Sequence, residues 1–242
     1  MSAVTPTLVF LPGLGADHRL FKYQTATFPN SYAADWIMPL PRESLEQYAV
    51  RFAEAIRVEL DKRPPAPVVV CGLSLGGMIA PYVAQHLQAV GCILLCSIRC
   101  PQEFPRRYYL DWQLMRCCQP LRVIRVRMLR LGIKCFLSFP VLLRLFVVPE
   151  EFEIIRQMTE MPPPLFAGLA RMMFDWAYRR REETDMPVFE VPVLQIHGTR
   201  DPLLPIRRTH PDIRISGGGH SLPVTHTEQI NEMIAQFIAG KG

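Results

Sequence analysis

The chain has 242 residues, 49% of them hydrophobic and 20% charged, with a formal net charge of +5. This length makes one well-filled domain, or one domain with an insertion, and buries a core without disulfides. The composition is ordinary for a soluble protein, and no aromatic-basic stacking pattern accompanies the modest charge, which excludes a nucleic-acid-binding module.

Seven cysteines is an odd number. They lie mostly in apolar runs such as "GCILLCSIRC" (91–100), the pattern of reduced, buried thiols rather than of a secreted disulfide framework. Cys92, Cys96 and Cys100 recur every fourth residue without a nearby histidine, and no CxxC pair occurs, so no metal site is expected. The start "MSAVTPTLVFLPG" has no basic region leading into an apolar one, so no signal peptide is read and a cytoplasmic location is expected. Lys and Arg concentrate between Arg99 and Arg181, the pattern of a solvated outer face, which leaves room for weak contact with an anionic membrane surface. The apolar run 131–148 is broken by Lys134, Pro140 and Arg144 and reads as a packed amphipathic element, not a membrane span.

In chain order, "TLVFL" (7–11), bounded by Pro6 and a "PGLG" turn, reads as a buried strand, and "YAADWIM" (32–38) as a weaker second one. Leu45, Tyr48, Phe52, Ile56 and Leu60 then form one helical stripe, with Ser44 and Gln47 at capping-box spacing. A strand at 67–72, a helix at 75–88 and a strand at 91–97 complete an alternation that implies a mostly parallel sheet of about six strands flanked by helices, an α/β fold. The alternation stops from Pro101 to about Met186, where helical spacing and Arg, Met, Leu and Pro suggest an inserted helical lid. It resumes with strands at 191–198 and 212–216 and a terminal amphipathic helix through 228–238. The expected layout is a core of residues 1–100 and 187–242 with a lid at 101–186 inserted before the acid-bearing strand.

The stretch "VVVCGLSLGGMIA" (68–80) places one serine between glycines where a buried strand turns into a helix. A serine hydroxyl attacks only when a base takes its proton and when it stands clear of its own backbone; a sharp strand-turn-helix satisfies the second need. Gly72 and Gly76 give strand and helix room to approach, and the Leu75 N–H, at the positive end of the helix dipole, is the natural first oxyanion donor. A second donor is expected from the loop after the first strand, "LPGLGAD" (11–17), at the Leu14 N–H. The base and its orienting acid should follow in the order acid, then histidine, each in a loop after a later strand. Asp201 in "HGTRDPLLP" and His220 in "GGGHSLP" meet that order, although Asp201 also reads as a turn residue before Pro202. His226 and His18 are the rival bases, while His86 and His197 read as structural.

With these stretches in place the chain resembles an α/β-hydrolase-fold serine hydrolase of carboxylesterase type. The carriers are "FLPGLG", "CGLSLGG", "HGTRDPLLP" and "GGGHS", and the resemblance spans 7–97 and 191–240. It implies Ser74 as nucleophile, His220 as general base and then acid, Asp201 as the group that orients and charges the imidazole, and Leu14 and Leu75 as main-chain donors. It departs from many members in carrying Pro12-Gly13 where they have His-Gly, and its sheet begins at the family's third strand. Serine at 74 disfavours the subfamilies that use an aspartate nucleophile. The expected substrate is a small, apolar carboxylic ester or thioester, with no cofactor; lactone or carbon-carbon bond hydrolysis on the same triad, or a slow-turnover ligand receptor, are the alternatives. A dinucleotide site at Gly13 and Gly15 fits poorly, because His18 fills the third glycine position and Asp35 does not end the following strand.

Overall fold

A computed structural model describes residues 5–115, 119–137, 151–179 and 189–240. The apolar runs become strands β1 (Thr7–Leu11), β2 (Ser31–Ala33), β3 (Val68–Leu73), β4 (Gly91–Leu95), β5 (Val193–Gly198) and β6 (Ile213–Ile215). They form one six-stranded sheet, ordered β2-β1-β3-β4-β5-β6, in which every neighbouring pair is parallel. Parallel strands are buried on both faces, and alternate residues feed two cores. Val9, Leu11, Val70, Cys92 and Leu94 pack on one side; Leu8, Phe10, Val69, Cys71, Ile93 and Leu95 pack on the other.

The first core is closed by helices α2 (Leu45–Leu60) and α3 (Leu75–His86), reached after a short α1 (Lys22–Thr27). α2 begins with a reciprocal cap: the Ser44 hydroxyl accepts the Gln47 N–H at 3.2 Å and the Gln47 amide oxygen accepts the Ser44 N–H at 3.0 Å. Such a cap stabilises a helix start by about 1 kcal/mol. Leu45, Tyr48, Phe52 and Ile56 of its stripe are fully buried, with Trp36 stacked on Phe52.

Between β4 and β5 lie α4 (Tyr109–Met115), α5 (Gln119–Leu137), α6 (Phe152–Glu160) and α7 (Pro163–Arg179). α7 buries Leu169, Met172 and Trp176 in the same core as α2 and α3. Arg171 donates to the Glu43 carbonyl and the Trp176 indole to the Tyr82 hydroxyl, so this helix is joined to the sheet side by polar bonds as well as apolar area. The chain ends with α8 (Leu222–Thr225) and α9 (Thr227–Ala239), whose Ile230 and Ile234 fill the second core. No described helix is long and apolar enough to cross a membrane.

Two differences from the sequence expectation have physical causes. The second strand stops at Ala33 rather than running to Met38, because the following backbone finds side-chain partners: the Ile37 N–H donates to the Tyr48 hydroxyl, and Trp36 turns inward. The short α1 and α8 carry too few residues to show a periodicity. The stretch 138–148, with Pro140 and Arg144, and the expected lid boundary at 186–187 lie outside the described residues, as do Cys117 and Cys118. Cys71, Cys92 and Cys96 are buried free thiols.

Register sets the location of the chemistry. Leu11 faces Gly72, Leu73 faces Leu95, Leu95 faces Ile196 and Gly198 faces Ile215, so the loops after β1, β3, β4, β5 and β6 leave from one edge. The strand order reverses between β1 and β3, and the carboxyl edge at such a switch point is where parallel sheets bind ligands.

Candidate active site

Ser74 stands between β3 and α3 with φ 54° and ψ −116°, a conformation that non-glycine residues rarely adopt. The glycines around it explain how the turn closes. A Cβ on Gly72 would lie 2.3 Å from the Gly76 carbonyl group, and one on Gly76 would lie 2.2 Å from the Leu11 oxygen. Strand, helix and first loop therefore touch through bare backbone. The Ser74 N–H donates to the Leu95 carbonyl at 3.0 Å, tying the turn to the neighbouring strand end.

The loop after β1 reaches the same place. A Cβ on Gly13 would sit 3.5 Å from Ser74 Cβ. The Gly13 carbonyl accepts the Ala16 N–H at 3.1 Å and the Trp36 indole N–H at 3.3 Å. In a trans peptide the N–H points opposite to the C=O, so holding the Gly13 oxygen toward Trp36 turns the Leu14 N–H the other way. The Leu75 N–H, first of its helix, lies outside the intrahelical ladder. On its far side the loop is fastened to α6: Arg19 pairs with Glu153 and Glu160 at 3.1 and 2.7 Å, the Asp17 N–H donates to Gln157, and Met158 packs on Gly15.

Asp201 and His220 meet directly, with Nδ1 and Oδ2 2.7 Å apart. Asp201 Oδ1 also accepts the N–H groups of Leu203 and Leu204 at 2.8 and 2.9 Å, so it is a turn residue and a histidine partner at once. Burial alone would raise this carboxyl, but hydrogen bonds from His197 and His220, the charge on His220 and the Leu204 N–H outweigh it and hold Asp201 well below the usual carboxylate range. The pair sits beside the Ser74 turn through Cys96. This residue follows Leu95, its Sγ donates to the Gly219 carbonyl at 3.3 Å, and its sulfur lies within 4.8 Å of the Asp201 and His220 ligand atoms. Burial and the Asp201 charge push the Cys96 thiol well above its ordinary range, which keeps it protonated. Neither Ser74 Oγ nor His220 Nε2 has a hydrogen-bond partner among the described residues.

The glycines before His220 are each anchored: Gly217 donates to Thr199 Oγ1, Gly218 accepts from Arg200, and Gly219 accepts from Cys96. A Cβ on Gly198 would lie 2.4 Å from both the Gly218 and Gly219 oxygens, so the acid loop and the histidine loop rest on each other. Of the rival bases, His18 is exposed and bonded to Asp35 at 2.8 Å, and His226 Nδ1 lies 2.9 Å from Thr225 Oγ1; neither meets Asp201. Asp35, which a dinucleotide site would need free, is engaged by the His18 ring and N–H. A residue that sequence reasoning set aside enters here: His197, on β5, lies 3.2 Å from Asp201 Oδ2. Its spacing of four from Asp201 was the available signal.

A cavity of about 560 Å³ opens between the start of α2 and α7, lined by Arg42, Ser44, Arg171, Asp175, Trp176 and Arg179. None of Ser74, Asp201 or His220 lines it, so its size says nothing about the substrate.

A model of the alpha/beta hydrolase family matches residues 8–233. The chain belongs to that family. Among solved structures this hydrolase is similar to MenH from S. aureus, with 20% identity, a TM-score of 0.67, and 98% of this chain and 95% of that one covered. It is similar to a thermophilic esterase from Thermogutta terrifontis, at 19% identity and a TM-score of 0.62 over 98% and 91%. It also resembles YbtT, a type II thioesterase of the yersiniabactin biosynthetic pathway, at 17% identity and a TM-score of 0.62 over 100% and 94%. At these identities the likeness concerns the fold. No curated protein matches the hydrolase.

Proposed function

We propose that this hydrolase cleaves a small carboxylic ester or thioester through an acyl-enzyme on Ser74. The observation that carries the reading is the pairing of the buried Asp201 with the half-buried His220, 2.7 Å apart, on the sheet edge from which the strained Ser74 turn also leaves. Ser74 Oγ attacks the carbonyl carbon as its proton passes to His220 Nε2, and Asp201 stabilises the resulting imidazolium. The oxyanion is held by the N–H groups of Leu14 and Leu75. Collapse expels the alcohol or thiol, which takes the proton from His220. Water, giving a proton to His220, then attacks the acyl carbon, and the carboxylic acid leaves as Ser74 recovers its hydrogen.

Residues 101–186 act in this reading as a lid over an apolar acyl site, and specificity resides there. Its support is that inserted helices reach both catalytic loops: α6 grips the loop of Leu14 through Arg19. Near the start of the insertion Arg107 donates to the Pro202 and Leu203 carbonyls beside Asp201. The exposed Leu121, Ile124, Met128 and Leu131 of α5, beside Arg127, support weak contact with anionic membrane surfaces. The reading keeps the enzyme in the cytoplasm.

The test is a panel of short and long p-nitrophenyl esters, acyl thioesters and lactones, with labelling by a fluorophosphonate. Multiple turnovers on esters or thioesters, label on Ser74 and loss of both in Ser74→Ala are expected. Label on another residue, or full turnover in the alanine variant, overturns the reading.

A further inference from the structure

The chemistry assigned to Asp201 and His220 accounts for one imidazole on the acid, yet the structure places two. His197 lies at the penultimate position of β5 and is wholly buried. Its Nε2 is 2.7 Å from the Leu204 carbonyl oxygen and 3.2 Å from Asp201 Oδ2, the oxygen that also meets His220 Nδ1. Its other nitrogen, Nδ1, is buried with no partner among the described residues. A carbonyl only accepts, so the hydrogen sits on Nε2, and the unpartnered Nδ1 is then a bare lone pair. That is a neutral ring, which avoids burying a charge and leaves an acceptor rather than a donor unsatisfied.

We infer that His197 is a positioning residue for the reaction, resting on the triad reading above: its single Nε2–H is shared between the Leu204 carbonyl and Asp201 Oδ2. The shared hydrogen does two things. It pins the turn 201–204 to the end of β5, adding to the Leu203 and Leu204 N–H bonds on Oδ1, so the carboxylate has one orientation to offer His220. It also draws part of the Asp201 charge toward His197, which moderates how strongly the acid holds the His220 imidazolium. The surroundings leave this role to His197. Cys96 faces the acid from the end of β4 as a protonated thiol, Glu103 accepts the Arg99 N–H at 2.9 Å, and Arg107 is spent on the carbonyls of Pro202 and Leu203.

The test compares His197→Leu, which removes the donor, with His197→Gln, whose amide nitrogen can reach both acceptors. On the best p-nitrophenyl ester, His197→Leu lowers kcat by roughly tenfold or more with KM within about twofold, the size expected for losing a hydrogen bond to a charged group. The acid limb of its kcat/KM profile moves to higher pH, because Asp201 without its second donor stabilises the imidazolium more strongly. The low-field proton resonance of the His220–Asp201 hydrogen bond moves further downfield, and His197→Gln restores all three readouts. A loss of kcat with the acid limb and the resonance unmoved, or a glutamine variant no better than leucine, overturns the inference. Should the leucine variant fail to fold, nitrogen-15 spectra of the unmodified protein decide. Protonated Nε2 with bare Nδ1 on His197, and an Nε2–H resonance that shifts in Asp201→Asn, support it; the opposite tautomer or an unmoved resonance overturns it. None of these outcomes touches the Ser74 reading, which falls only if Ser74→Ala keeps turning over.

Discussion

The Ser97 hydroxyl donates a 2.7 Å hydrogen bond to the carbonyl oxygen of Ser74, which also accepts the Met78 N–H at 3.0 Å. Two donors thus hold a peptide whose residue sits at φ 54° and ψ −116°. Strain of this kind costs roughly 1–3 kcal/mol and persists only where the surroundings enforce it. Glycine takes the same angles freely. Ser74→Gly is therefore expected to raise unfolding stability by about 1 kcal/mol while abolishing turnover, whereas Ser74→Ala keeps the strain and leaves stability within about 0.5 kcal/mol. Denaturant midpoints measure this, and a glycine variant less stable than the alanine one contradicts it.

The glycines flanking the turn should behave in the opposite way. Added methyl groups at 72 or 76 meet main-chain atoms at 2.3 and 2.2 Å, and backbone cannot rotate aside as a side-chain tip can. Gly72→Ala and Gly76→Ala are each expected to cost more than about 3 kcal/mol and to reduce soluble yield. Gly219→Ala is the control, since nothing lies within 4 Å of its added carbon. Similar midpoints for all three variants would count against the close approach of strand, helix and first loop.

Trp36 supplies a test of the first loop that spares the core. Its indole N–H reaches the carbonyls of Gly13 and Ala16 at 3.3 and 3.1 Å, while its ring stacks on Phe52 at 5.4 Å. Trp36→Phe keeps an aromatic ring and removes the donor. The Gly13–Leu14 peptide then loses one of the two bonds that orient it, so kcat is expected to fall by about tenfold with KM little changed, and stability by about 1 kcal/mol. Steady-state kinetics beside a melt decide; a rise in KM with kcat intact would place Trp36 in substrate binding instead.

Much of this was legible in the residues. Strands buried on both faces read as unbroken apolar runs, which is why β1, β3, β4 and β5 lie within one or two residues of their expected positions, and the Ser44–Gln47 cap marks the start of α2 to the residue. The turn around Ser74 and the loops carrying Asp201 and His220 were visible because each follows an apolar run that reads as a strand. β2 was overextended because Trp36 and Ile37 suit a strand as well as the inward-turned loop they occupy, and only the Tyr48 hydroxyl and the Gly13 and Ala16 carbonyls decide between them. The contact of His197 with Asp201 was hidden because a histidine at a buried strand end looks the same whether its nitrogen meets a carbonyl or a carboxylate. Likewise the Arg19 contacts with Glu153 and Glu160 join residues more than 130 positions apart, which no local pattern encodes.

The lowered pKa of Asp201 fixes how stability responds to acid. Its folded value lies below the unfolded aspartate value of 3.8, so the ionised carboxylate contributes stability above that value, and the contribution is lost as pH falls through the folded one. Asp201→Asn removes the titration while keeping the shape. Measured against that variant, the wild-type protein is expected to be more stable at neutral pH, and its advantage should shrink as pH drops from about 5 toward about 2.5. Asp17, Glu43 and Glu160, also held low, and Glu103, raised by burial, titrate alike in both proteins and cancel in the difference. The asparagine variant should also lose turnover by about 10³-fold or more, since an amide favours the wrong imidazole tautomer. A stability difference that stays flat across this acid range would mean that His197, His220 and the Leu204 N–H do not hold the carboxylate in its charged form.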